Sequence, residues 1–371
     1  MSAPIITHYE ALARAREARS HTLVAPASLT SEFDRATADA AAKIGALLES
    51  AAFFRTFDYR WAADPTSYRN PLEAALQRMV LTAICEIEPS HPHYPRLGDI
   101  CVRVAPSGGV NAMSFEDEGF KYAVMTTALV KYPWEFLHVF DTLRPRASRY
   151  DEIPGFNAAA AAWTPADAAG CAAEQGEALD QLFDTALSYT DFTVPEHLES
   201  RYNSVTERNS PRAAYMTQTI GAADAFIVLH EVGHLLAHPG PATQRDERIE
   251  IQADEAALSL MIILSSREPT ITPYLMNGPA LSFAAMRHFN MCRRTGFHLK
   301  SITKKDESFD EEAERRFEQE LTDRSCRISR MAASMGLPRL LAKSFDTISQ
   351  EMFFLTEATK LRLIARLGPK S

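Results

Sequence analysis

Residues 226–238 read Phe-Ile-Val-Leu-His-Glu-Val-Gly-His-Leu-Leu-Ala-His, and the centre of this stretch decides how the chain is read. The run is apolar and helix-compatible, so His230 and His234, four positions apart, project from one face of one helix. Glu231 follows about 100° round the same helix, where its carboxylate reaches a water held by the two imidazoles. Two neutral nitrogen donors with a carboxylate between them form an H-E-x-x-H pattern: two metal ligands and a general base.

Residues 246–264 then read as an amphipathic helix with acids in its first turn, where the helix dipole favours them. Glu250 and Asp254 are four apart on one face, and Ala253 and Ala257, also four apart, leave room for a neighbouring helix to come close. Pro239 and Gly240 end the first helix, and the turn-like stretch after them lets the two helices lie antiparallel, with Glu250 facing the histidines. Zinc in a hydrolytic site takes three protein ligands and keeps one position for water, so His230, His234 and Glu250 complete a set. Glu247, Asp254 and His238 compete for the third place; Glu250 is preferred because it shares the inner face with Ala253 and Ala257. Asp254, one turn further on, suits an acceptor for the N–H of a ligand histidine, which fixes the tautomer. His238, just before Pro239, reads as a cap on the helix end.

H-E-x-x-H followed by a helix carrying E-x-x-x-D resembles the gluzincin branch of the zincin metallopeptidases, over residues 222–258. The resemblance implies Zn2+ as cofactor, Glu250 as third ligand, Asp254 supporting a histidine, and a protein or peptide as substrate. Only fifteen residues separate His234 from Glu250, which departs from the best-known members and demands a short connection. A metzincin reading fails because its third histidine would fall at Gly240, and the Gly-Thr-x-Asp signature of aspzincins is absent. Ala-Asp-Ala-Phe before the motif and Glu-x-x-x-Asp-x-x-Ala after it also resemble the phage-exclusion (Lit-like) peptidases and the small cytoplasmic peptidases that cleave a repressor or a translation factor. Peptidases of this kind add a donor for the oxyanion; Tyr274 and His288 are the foremost candidates, with His298, Arg287 and Arg293 behind them.

The 371 residues can bury a sizeable core, and 46% hydrophobic with 23% charged residues is ordinary for a soluble globular protein. A formal charge of −9 argues against a general nucleic-acid or anionic-membrane binder. The basic residues of 287–305 read as a solvated helix face and loop. Five widely spaced cysteines without C-x-x-C read as reduced thiols of a cytoplasmic protein. The N-terminal residues lack a signal pattern, and no stretch approaches a membrane span of about eighteen uninterrupted apolar residues.

Helical periodicity covers 31–57, 70–86, 126–143, 157–190 (broken by Pro165), about 25 residues from Pro211, 279–294, 309–335 and 338–367. Short β-like runs at 99–104, 109–114 and 119–125 suggest a small antiparallel sheet, with proline-rich 88–95 and charged 300–308 as loops. The expected architecture is α+β, mainly α: a zincin-like helical core with a small antiparallel sheet. An N-terminal helical region with that sheet covers 1–195, and a metallopeptidase helical region covers 196–371, the polar stretch 191–210 marking the boundary. Two other readings stay open: a catalytically weak zincin-fold regulatory or partner-binding protein, such as a stress or phage-defence sensor, and a structural helical protein with a fortuitous motif.

Overall fold

The computed structural model describes residues 31–49, 71–84, 100–105, 110–117, 120–143, 165–190, 211–237, 247–303 and 311–367. The elements run α1 (Ser31–Glu49), α2 (Pro71–Ile84), β1 (Ile100–Ala105), β2 (Ala112–Asp117), β3 (Phe120–Thr126) and α3 (Thr127–Leu143). They continue with α4 (Pro165–Glu174), α5 (Gly176–Thr190), α6 (Pro211–Ala237) and α7 (Glu247–Arg267). A 3-10 turn (Pro269–Tyr274) leads to α8 (Asn277–Thr303), α9 (Glu311–Ser334) and α10 (Arg339–Leu367). The class is α+β, mainly α.

Helix α6 is the axis of the fold. Its stretch Tyr215–Leu236 is long and apolar enough by composition to cross a membrane, but 89% of its most apolar window is buried inside the protein. A helix apolar all round needs partners all round. Helices α7 and α8 supply most of them, with α2, α3 and the sheet on the remaining sides. The start of α8 presses against α6 where Gly278 meets Ala222: a Cβ on Gly278 would lie 2.4 Å from the Ala222 carbonyl carbon. The buried apolar residues form one cluster that draws on α1, α2, the sheet and every later helix.

The sheet is mixed rather than antiparallel. Strand order is β1-β3-β2, with β1 parallel to β3 (Ile100 opposite Lys121, Ala105 opposite Thr126) and β2 antiparallel to it (Ala112 opposite Met125). The physical reason lies in β3, whose Tyr122, Ala123, Val124 and Met125 are at most 1% exposed. A strand apolar on both faces takes the centre, so β1 and β2 flank it. Gln77 of α2 ties down the far strand, accepting from Val102 N–H at 2.8 Å and donating to the Ile100 carbonyl at 3.0 Å. The other edge is β2, which packs on α6.

Two local expectations shift, at β2 and at α8. Strand β2 begins at Ala112, not 109, because Met113 and Phe115 must alternate inward. Pro165 stands at the first position of α4, where its missing N–H costs nothing, and the expected helical residues before it lie outside the described ones. Helix α8 continues to Thr303, through the start of the stretch expected as a loop. The 88–95 loop and the 191–210 boundary lie outside the described residues. Among the described residues, Cys101, Cys171, Cys292 and Cys326 are free thiols.

Candidate metal site

Helix α6 presents His230 and His234 with their Nε2 atoms 3.1 Å apart. From α7, Glu250 brings Oε2 to 3.4 Å from His230 Nε2 and Oε1 to 3.8 Å from His234 Nε2. The three side chains could hold a metal ion. Bonds of about 2.0–2.1 Å to a tetrahedral ion put neighbouring donors about 3.3 Å apart. The histidine edge of 3.1 Å lies near that value, and Glu250 turns a different oxygen to each ring. One ligand atom from each of the three residues lies within 4.8 Å of the others, so a tetrahedral ion held by them would keep one vertex over.

Two helices reach this separation because Gly233 stands between the paired positions. A Cβ there would lie 2.8 Å from the Ala253 carbonyl oxygen and 3.0 Å from both Ala253 Cα and Ala256 Cβ. Backbone therefore meets backbone, one residue before His234 on α6 and one before Asp254 on α7. Of the two alanines expected at the approach on α7, Ala253 meets Gly233 and Ala257 is fully buried; Ala256, also fully buried, shares the contact with Gly233.

Asp254 takes the supporting position. Its Oδ1 lies 2.9 Å from His230 Nδ1 and is 2% exposed as a side chain. An Nδ1–H donated there turns Nε2 outward as a lone pair for a metal. A further group was not foreseen: Arg324 of α9, 6% exposed, donates Nε to Asp254 Oδ2 and Nη2 to Asp254 Oδ1, both at 2.7 Å. Its Nη1 donates to Glu250 Oε2 at 2.9 Å, and its guanidinium carbon lies 5.4 Å from the Phe283 ring centre. One fork thus grips a candidate ligand and the residue that orients another.

These charges set each other's protonation. Burial opposes a charge on His230, but the Asp254 and Glu250 carboxylates outweigh it and raise the imidazole to about 9. Burial would raise Glu250, yet His230 and Arg324 hold it far below the carboxylate range, and the same two groups hold Asp254 low. Glu231 behaves oppositely: burial, with Glu250 adding to it, lifts it to about 7 against the pull of His230 and a hydrogen bond with Ser114 of β2.

A proton on His230 therefore competes with any metal. The folded-state value near 9 lies above the ordinary 6.5, so at pH 7 the ring is protonated when no metal is bound. Its ion pairs stabilise the metal-free fold fully below pH 6.5 and are lost as pH rises through 9. Loading a metal at pH 7 should release about one proton per site, and affinity should fall as pH drops. Calorimetric titration in buffers of different ionisation enthalpy measures that proton; a buffer-independent heat would contradict the pairing.

Neither oxyanion candidate reaches the site. His288 is 0% exposed, with Tyr132 Oη at 2.6 Å from Nδ1 and Thr359 Oγ1 at 3.0 Å from Nε2. Burial lowers it to about 3, so it is a neutral core residue whose two nitrogens are already engaged. Tyr274, 3% exposed, packs its ring 6.3 Å from that of Tyr215. Tyr215 precedes His230 by fifteen residues, which is roughly 22 Å along a helix. Of the cations behind them, Arg287 stacks 4.3 Å over Phe353 and Arg293 donates to Asn290 at 3.2 Å. His238 lies outside the described residues.

Compared with known proteins, the chain matches no family model, no curated protein and no solved structure.

Proposed function

We propose that this protein is a zinc-dependent peptidase that hydrolyses a bond in a protein or peptide substrate. The observation that carries this reading is the His230–His234–Glu250 donor triangle with Glu231 beside it and one vertex open. Two imidazoles and a carboxylate brought to one point favour zinc over the hard, all-oxygen cations. Zinc held by these side chains would polarise a carbonyl oxygen and acidify water.

Glu231 supplies the proton chemistry. With its carboxyl near 7, it accepts a proton from the attacking water and returns it to the leaving amine. Asp254 keeps the His230 proton on Nδ1, and Arg324 keeps Glu250 turned toward the histidines. A peptide substrate is supported by β2, an edge strand whose Ser114 touches Glu231. An extended chain that adds to this edge would carry a carbonyl past the base.

The test is metal analysis of protein purified without chelator, followed by a survey of new protein N-termini after incubation with a proteome. About one equivalent of zinc and discrete cleavages are expected. Absence of bound zinc overturns the reading. Zinc without any cleavage points instead to the catalytically weak, partner-binding alternative.

A further inference from the structure

The face of α6 that carries Glu231 continues toward the helix N-terminus as a narrow stripe of buried residues that keep a small residual exposure, as the candidate ligand His230 does at 8%. Ile220, Asp224, Ile227 and Glu231 are 8, 4, 6 and 6% exposed, whereas Ala222, Ala223, Ala225, Phe226, Val228 and Leu229 between them are at most 2% exposed. The spacing 220, 224, 227, 231 is one helical face, and Asp224 stands two turns before Glu231. The two carboxyls therefore sit on one side of the helix, about 10 Å apart.

Asp224 is unusual on this stripe. Its Oδ1 is buried with no hydrogen-bond partner among the described residues, and burial alone raises the carboxyl well above its ordinary range. A buried carboxyl oxygen left unsatisfied is costly, so a group retained in that condition calls for a partner. Asp254 marks the contrast: equally buried, it carries a bidentate arginine and a histidine. The side chains flanking Asp224 on the stripe, Ile220 and Ile227, are apolar and suit a methylene stem.

We infer that Asp224 is the floor of a substrate subsite that takes a cationic nitrogen two to four residues from the bond being cut. The span follows from about 10 Å of helix against about 3.3 Å per residue of extended peptide, with the reach of a side chain added. The inference rests on the peptidase reading for its place in the reaction, but the binding it asserts stands apart from hydrolysis. A lysine or arginine side chain and a free N-terminal amine share the required chemistry.

Two arms test it on the zinc-loaded full chain. In the first, decapeptides that differ only by Lys or norleucine at each position are cleaved with free or acetylated N-termini. At one position the Lys peptide should have at least about tenfold higher kcat/KM, and Asp224→Asn should bring the ratio close to one. A preference abolished by acetylation identifies the N-terminal amine as the cation; one that survives identifies the side chain. An unchanged ratio in Asp224→Asn, or no preference for a cation anywhere, overturns the inference. The second arm uses anisotropy of labelled peptides on Glu231→Gln protein and on Glu231→Gln/Asp224→Asn, with circular dichroism to establish folding. Tighter binding of the Lys peptide that disappears in the double variant supports the subsite even where the wild type cuts nothing, and equal binding of Lys and norleucine peptides sinks it. A catalytic failure is thereby separated from a failure of the subsite.

Discussion

Glu231→Gln should retain about one equivalent of zinc and lose hydrolysis by a factor of about a thousand or more. The carboxylate is not among the donor atoms that face one another at 3.1–3.8 Å, so the amide leaves the triangle untouched. Removing a positioned general base typically costs a factor of about 10²–10⁴. The same substitution has a signature in stability. A carboxyl raised from 4.5 to about 7 in the fold is harder to ionise there than in the unfolded chain. That strain is absent below pH 4.5, grows as pH rises toward 7 and stays constant above it. Gln lacks the ionisation, so the metal-free variant should be more stable than the wild type at pH 8, by about 1–3 kcal/mol, and show no such gain at pH 4. Denaturant melts of both proteins at the two pH values, with metal analysis and a cleavage assay alongside, decide the matter. Full activity in the variant would remove Glu231 from the mechanism; a loss of zinc would make it a ligand.

How much of this was legible in the sequence depends on whether the signal was local. Helix α6 was legible, because a run flanked by Pro211 and Pro239 and apolar on every side has few other ways to fold. The pairing of His230 with His234 needs only the helical repeat. Glu250 and Asp254 were legible because their own helix carries both the acids and the alanines that let it approach. The partner of those alanines, Gly233, lies inside the H-E-x-x-H motif itself and went unread: a glycine at that spot in a helix asks what backbone comes near it.

Arg324 was harder. It lies 74 residues from Glu250 in a strongly charged helix, where an arginine reads as solvated. Its register gives it away, since Leu321, Arg324 and Ile328 lie on one face and are respectively 2, 6 and 0% exposed. An arginine on an apolar stripe needs buried acids, and the sequence had already placed two. His288 and Tyr274 failed for the opposite reason. Each is polar by type, but each lies in an apolar segment and spends its polar atoms or its ring on the core. The order of the sheet was not local either: the short connection at 118–119 dictates the β2–β3 hairpin, whereas the parallel return of β1 depends on which strand needs burial on both faces.

Gly233→Ala should damage both the fold and the site, against the usual sign of that exchange. In an exposed helix interior, alanine for glycine stabilises by about 1 kcal/mol. Here the new methyl would stand 2.8 Å from the Ala253 carbonyl oxygen, and the obstacle is backbone that no rotamer change can clear. Overpacking of this sort costs about 1–3 kcal/mol, which exceeds the gain in propensity, so the net change should be destabilising. The more specific consequence concerns the metal. An ordinary carbon–oxygen contact needs at least about half an ångström more room, so α7 must move away from α6 or slide along it. Glu250 and Asp254 travel with α7, and the edges of 3.4 and 3.8 Å lengthen while the His230–His234 edge of 3.1 Å does not. A site reduced toward two good ligands, with its histidine support displaced, should bind zinc about a hundredfold more weakly or worse. Competition against a chelator of known affinity, together with thermal melts, gives both quantities. Gly233→Ser should behave alike, because any Cβ meets the same backbone. Zinc affinity unchanged in both variants would mean that the closeness of the two helices is not what brings the three donors together.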